Sequence, residues 1–149
     1  MAVAFVSNTV GHNTSQTTSI PQMSLDCTGA SMVVVFINTR LGCTSTDVTA
    51  LSVQLNGSTT GQTFLVGTAD TSVFAGDCEH ARVVYFLNPT SGTNTVDIAW
   101  TSNAWGVATV FSFSGAGSVG TVVEQTKSTA DYSVSATITA NDMVLGLMD

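Results

Sequence analysis

Residues 81–100 have the sequence ARVVYFLNPTSGTNTVDIAW, and this stretch decides the class of fold. Residues 81–87 predict a buried strand, which ends before Pro89 because proline has no N–H to donate to a sheet ladder. Residues 90–93 form a turn that contains glycine. Apolar and outward-facing residues then alternate, which predicts a second strand with one buried face, formed by Val96, Ile98 and Trp100.

The same rhythm of short apolar runs separated by Gly, Asn, Ser and Thr continues outward from this stretch, with no helical periodicity of useful length. Residues 31–39, SMVVVFINT, predict a central strand covered on both faces. Residues 50–58 alternate and end in Asn56-Gly57, a pair typical of a tight hairpin, with a return strand expected near 64–66. The pattern predicts an all-β fold, an antiparallel β-sandwich.

Two tryptophans bracket a predicted turn at residues 101–104, between one strand ending at Trp100 and another that starts near Gly106. Trp100 is in phase with Val96 and Ile98, so it is expected in the core. Trp105 is free of that pattern and is a candidate for a subunit or ligand contact, because tryptophan is enriched at interfaces.

Composition and charge exclude several classes of function. The 149 residues are 44% hydrophobic but only 9% charged, with a formal net charge of −7 and three cations. This balance argues against binding nucleic acid or anionic membranes, which need clustered Lys and Arg. No apolar run approaches the roughly 20 residues that span a bilayer. The surface must therefore be rich in neutral hydroxyl and amide groups, as is typical of proteins that pack against copies of themselves or other chains.

The densest cluster of reactive residue types is Asp77-Cys78-Glu79-His80. On an extended backbone Cys78 and His80 share one side, but a zinc site would need two more ligands, and no spacing matches a known zinc pattern. Neighbours at i and i+2 are too nearly parallel for a nucleophile–base pair. The favoured interpretation is a polar loop over residues 76–80, with no metal, no cofactor and no catalytic residue.

Three cysteines, an odd number without a C-x-x-C pair, do not make a disulfide framework. Cys43 and Cys78 both lie in loop-like settings next to strong strands, so a disulfide between them is feasible if those strands are neighbours. Cys27 is expected near a strand end as a free thiol.

The N-terminal stretch has no Lys or Arg and only a short apolar piece, which is not typical of a secretory signal, so synthesis in a cytoplasm is expected. Residues 1–19 are interpreted as an N-terminal arm or edge segment, and residues 20–149 as the sandwich domain. Because Asp149 falls in or just after a predicted strand, the chain is expected to continue beyond it, the alternative being that it ends on a paired edge strand.

Residues 81–100, together with SMVVVFINTR (31–40), VTALSVQLNGSTT (48–60) and WGVATVFSFSGAG (105–117), resemble a module of phage and prophage virion structural proteins that also occurs in some secreted bacterial proteins. The resemblance spans roughly residues 30–117. It implies a jelly-roll-like β-sandwich, usually without known catalytic residues. Cys43 and residues 77–80 lie outside its motif.

The resemblance and the neutral composition together suggest a phage capsid decoration (cement) protein, located on the virion and made in the host cytoplasm. It would bind between major capsid protein subunits and copies of itself, as a homotrimer. Candidate contacts are the N-terminal stretch, with Phe5 and His12, and the surroundings of Trp105. The alternative is a carbohydrate- or receptor-binding module of a fibre or adhesin, with Trp105 on an exposed platform that stacks on a glycan.

Overall fold

The computed structural model describes residues 2–42, 51–64, 72–74, 77–120, 143 and 145. Within these residues every element of regular secondary structure is a β-strand, and the paired strands are antiparallel. The strands are β1 Ala4–His12, β2 Thr17–Asp26, β3 Met32–Gly42, β4 Ser52–Leu55, β5 Gln62–Phe64, β6 Ser72–Phe74, β7 Asp77–Leu87 and β8 Thr93–Ser114. The predicted all-β antiparallel fold is therefore confirmed, while jelly-roll connectivity stays a prediction.

Strand β8 organises the molecule, because its 22 residues are shared between two layers. Its first half, residues 93–104, pairs with β2 and β4 and forms the small layer. Its second half, residues 105–114, lies between β1 and β3. In the large layer β3 also pairs with β7, and β5 and β6 pair with opposite ends of β7.

Strands β1 and β2 together follow β8 along almost its whole length. The β1 register runs from Ser114 to Val107, and the β2 register continues from Ala104 to Thr93. The connection at residues 13–16 consequently lies beside the point where β8 passes from one layer to the other. The stretch interpreted as an arm or edge segment thus contains an edge strand, β1, and its boundary at residue 19 falls inside β2.

The main core lies between the inner faces of the two layers, because the alternation of each strand directs one set of apolar side chains inward. Trp100 is buried in this cluster, as predicted. The other members include Ile20, Leu25, Val53, Val96 and Ile98 from the small layer and Val33, Val35, Ile37, Val84 and Phe86 from the large layer.

Strand β3 is buried on both faces, which confirms the prediction for residues 31–39. Its other set of side chains, Met32, Val34 and Phe36, forms a second buried cluster on the outer face of the large layer, with Val83, Phe113 and Ala116. A continuous apolar run is the expected sequence of a strand without a solvent-exposed face. The large layer therefore carries apolar side chains on both its inner and its outer surface.

The predicted turn at residues 101–104 is wrong, since these residues belong to β8. Their polarity reflects a different constraint. Strand β8 advances from Ala99 to Ala104 while its partner β2 advances only from Ser19 to Thr17. The extra residues of β8 are taken up where the strand leaves the small layer and enters the large one, and such irregularities bend a strand without ending it.

The predicted loop at residues 76–80 is also wrong where it is described, because β7 begins at Asp77. Strand β3 extends as far as Gly42, so residues 77–80 have ladder partners at 39–42 and remain extended. Strand β6 pairs with the same segment on its other side.

The predicted hairpin turn at Asn56-Gly57 is confirmed. Both residues have positive φ, 53° and 72°, and Leu55 and Ser58 exchange two backbone hydrogen bonds of 2.9 and 3.1 Å across them. Of the return strand expected near 64–66, only Phe64 lies within the described residues, and it belongs to β5, which pairs with β7 in the other layer and not with β4.

Candidate interaction surface

Four large apolar side chains are exposed together on the outer face of the large layer, near its β1 edge. They are Phe5 (55% exposed), Val10 (57%), Trp105 (42%) and Val107 (42%), and they are called the β1 strip below. The register places Val10 opposite Thr109 and His12 opposite Val107, and alternation puts residues 105, 107 and 109 on the same face. Three predicted contact residues, Phe5, His12 and Trp105, therefore lie at one surface and are exposed.

The β1 strip is continuous with the outer buried cluster through a set of aromatic rings. Phe5 makes edge-to-face contacts with Phe111 and Phe113, at centroid distances of 6.5 and 6.3 Å. Phe111 in turn contacts Phe36 edge-to-face at 5.9 Å. Such pairs contribute about 0.5–1.5 kcal/mol beyond area burial. The exposed ring of Phe5 therefore packs against Phe111 and Phe113, which belong to or pack against the outer buried cluster.

Strand β1 is the edge of the large layer. It pairs with β8 on one side, and no strand among the described residues pairs with its other side. Natural edge strands are usually protected by charged residues, prolines or bulges. The nine residues of β1, AFVSNTVGH, include no Lys, Arg, Asp, Glu or Pro, and the register shifts only between Phe5 and Ser7. From Ser7 to His12 the edge is regular and contains no Asp, Glu, Lys or Arg.

Asp, Glu, Lys and Arg are absent from long stretches of sequence that include both strands of the strip. Residues 1–25 and 98–123 contain no Asp, Glu, Lys or Arg, although the chain carries a net charge of −7. Strands β1 and the second half of β8 are therefore free of these residues along their whole length. The nearest described cation on the same layer is Arg40, which lies opposite Trp105 in the register of β3 and β8.

Asn13 fixes the backbone on both sides of Trp105. Its amide Nδ2 donates to the carbonyl of Ala104 at 2.8 Å, and its Oδ1 accepts from the backbone N–H of Gly106 at 2.8 Å. The backbone N–H of Asn13 also donates to the carbonyl of Gly106 at 3.1 Å. Asn13 is buried, so these hydrogen bonds are shielded from water. No pattern in the sequence predicts this role, because Asn13 lies in a polar run like its neighbours.

A second bond secures the same crossing from the core side. The indole Nε1 of Trp100 donates to the carbonyl of Thr17 at 2.9 Å, and the Thr17 hydroxyl donates to the carbonyl of Ser19 at 2.8 Å. These bonds hold the start of β2 against β8. The backbone on both sides of Trp105 is therefore held in place by hydrogen bonds.

Two shallow cavities of about 220 Å³ occur elsewhere among the described residues. One lies beside the Asn56-Gly57 turn, where the Asn94 amide donates to the carbonyls of Thr90 and Gly92 and its Oδ1 accepts from Asn56. These amides are engaged by the protein itself. The other adjoins Asn13 and is lined by Thr14, Ser15, Thr17, Ser19 and Pro21. The described residues of both linings include no Asp, Glu, His, Cys, Lys or Tyr side chain, so their serine and threonine hydroxyls have no general acid or base beside them in the lining.

The predicted reactive cluster and the predicted disulfide fall largely outside what the structure describes. Residues 77–80 are described only as backbone of β7, and Cys43 lies outside the described residues, so a Cys43–Cys78 bond stays a prediction. The described side chains contain no group of three or more His, Cys, Asp or Glu that could hold a metal. Cys27 is a free, fully buried thiol, and burial, with a smaller effect of Asp26, raises its pKa to about 11.

Comparisons of the chain with protein-family models, with curated proteins and with solved structures found no match. Among the described residues, no helix has the length and apolar character needed to cross a membrane. The function of the chain is therefore inferred from the surface chemistry of the β1 strip.

Proposed function

We propose that this chain is a structural protein that acts by contact, without catalysis, and more specifically that it is a decoration protein of a phage capsid. The observation that carries the proposal is the β1 strip, an exposed apolar surface beside a sheet edge that no described strand covers and that contains no Asp, Glu, Lys or Arg. Protein surfaces that expose large apolar side chains together are usually interaction sites. The more specific assignment to a capsid is also supported by the resemblance of residues 30–117 to a module of virion structural proteins.

The chemistry of the strip suits a permanent assembly. Burying the side chains of Phe5, Val10, Trp105 and Val107 removes apolar surface from water at about 25 cal/mol per Å². Because β1 and residues 98–123 contain no Asp, Glu, Lys or Arg, the described ionic group at the strip that burial could desolvate is Arg40, opposite Trp105. A protein that binds several subunits of an assembled shell stabilises that shell by mass action.

The test is co-sedimentation of the purified chain with bare capsid shells of the major capsid protein encoded in the same genome. Wild type is expected to sediment with the shells, and Trp105→Ala is expected to weaken binding by about tenfold or more, as truncation of a buried interface anchor does. Leu87→Ala is the matched control, because Leu87 is an exposed apolar residue on β7, away from β1. Failure of wild type to bind any shell contradicts the capsid assignment.

The exposure of Trp105 also favours the second candidate, a carbohydrate-binding module. An exposed indole can stack on a sugar ring, and neutral hydroxyl and amide groups suit sugar hydrogen bonding. A glycan array separates the two functions. Specific retention that Trp105→Ala abolishes, with no binding to capsid shells, would replace the decoration hypothesis by this one.

A further inference from the structure

We infer that the occupant of the β1 strip is a second copy of this chain. The β1 edge of that copy pairs with the β1 edge of this one, and its strip lies beside this strip. The inference deepens the proposed function and rests on it for the role of the strip as a contact surface. Its first support is the outer edge of β1, which no strand among the described residues pairs with, since an unpaired edge presents a row of backbone N–H and C=O groups that another strand can satisfy. From Ser7 to His12 the register with β8 is unbroken, so this edge is regular.

Charge selects among the occupants. Neither β1 nor residues 98–123 contain Asp, Glu, Lys or Arg. A strongly charged partner would lose hydration over the whole strip, where β1 and residues 98–123 offer it no ion pair and Arg40, opposite Trp105, is the described cation at the margin. A second copy brings the same strip, so apolar and polar side chains without Asp, Glu, Lys or Arg meet their like, with Arg40 at the margin beside Trp105.

The net charge of −7 does not oppose this contact at short range. The described carboxylates nearest in sequence, Asp26 and Asp97, belong to the end of β2 and to the small-layer half of β8. At physiological ionic strength the Debye length is about 8 Å, so repulsion between distant charges is largely screened. Association is therefore expected to strengthen as salt concentration rises.

The side chains of the strip also match one another. Val10 and Val107 provide apolar surface, Phe5 and Trp105 provide aromatic surface, and His12 lies opposite Val107 at the end of β1. Paired edges of identical strands place like side chains close together, where Thr–Thr and aliphatic pairs are favourable and like charges are not. The polar members of β1, Ser7, Asn8 and Thr9, are all neutral.

The experiment measures mass by sedimentation velocity over a concentration series with the full chain. Wild type is expected to self-associate, and Val10→Glu is expected to raise the dissociation constant about tenfold or more, because two new carboxylates would meet in the contact. Ala99→Glu is the matched control, with the same added charge at an exposed position on the small-layer half of β8. Circular dichroism verifies folding, and Val10→Asn provides an uncharged substitution at the same position.

A wild type that is monomeric at every concentration overturns the inference, and so does self-association that neither Val10 variant weakens. The capsid assay is run on the same samples to separate the two proposals. A monomer that sediments with shells contradicts the second copy and leaves the decoration function standing. An oligomer that dissociates with Val10→Glu but ignores shells supports the second copy and removes the capsid assignment.

Discussion

Asn13 and Gly106 exchange two hydrogen bonds, from the Gly106 N–H to the Asn13 side-chain oxygen and from the Asn13 N–H to the Gly106 carbonyl. The bonds join the β1–β2 connection to β8 at the place where β8 changes layer. They are buried, and the peptide groups that they satisfy have no water to replace the partner.

Asn13→Ala is therefore expected to lower the free energy of unfolding by about 2–3 kcal/mol, because it leaves the N–H of Gly106 and the carbonyl of Ala104 without their partner. Urea unfolding followed by fluorescence measures the loss. Asn103→Ala, an exposed asparagine of β8, is the control and should change stability by less than about 0.5 kcal/mol. Equal effects of the two substitutions would show that the Asn13 bonds contribute nothing specific.

Gly106 is required for packing, since a Cβ added there would lie 2.5 Å from Cη2 of Trp100. Gly106→Ala is expected to destabilise the protein by about 1–3 kcal/mol through overpacking. The cost should shrink in a Trp100→Phe background, where the six-membered ring of the indole is gone, and a double-mutant cycle measures this coupling. Gly117→Ala meets nothing within 4 Å and serves as the control. Additive effects at 100 and 106 would contradict the contact.

Asp26 is an acid-sensitive site at the end of β2. Hydrogen bonds from the Thr28 side chain and from the Thr28 backbone N–H, the latter at 2.8 Å, hold the pKa of Asp26 below its usual value. A lowered folded-state pKa contributes stability that is present above the unfolded pKa of 3.8 and is lost as pH falls through the folded value. Thr28→Val should raise the pKa of Asp26, measured by carboxyl NMR titration, whereas Thr14→Val should leave it unchanged.

Cys27 is expected to be unreactive in the folded protein. Burial raises its pKa to about 11 from 9.0, so its thiolate fraction at about pH 8 falls about a hundredfold. Stability should decline as pH rises from 9.0 toward about 11, because the unfolded thiol ionises first. In a Cys43→Ser, Cys78→Ser variant, a thiol-reactive dye should label Cys27 only after urea is added. Rapid labelling of the native variant would contradict the burial.

The sequence predicted the buried core strands better than the strand ends and the point where β8 passes between layers. Runs such as residues 31–39 carry apolar side chains at consecutive positions, and such a run leaves few alternatives to a strand buried on both faces. The Asn56-Gly57 turn was predictable because the positive φ of both residues is a local requirement. These features depend on interactions between residues that are adjacent in the sequence, so they can be predicted locally.

The errors occurred where a distant partner decides the local structure. Residues 101–103 are polar, yet they remain in β8 because partners in two layers hold both ends of the strand. Asp77 begins β7 because β3 extends to Gly42 and supplies the ladder. Trp105 was predicted as a contact residue from its type and phase, but the surface it shares with Val10 and Val107 depends on the pairing of β1 with β8.

One backbone, β8, supplies a central strand to both layers of the sandwich. A load applied to the large layer therefore reaches the small layer along covalent bonds and does not have to cross an interface held by packing alone. The layers cannot slide apart without stretching this shared strand, so the molecule should resist shear as a single mechanical element.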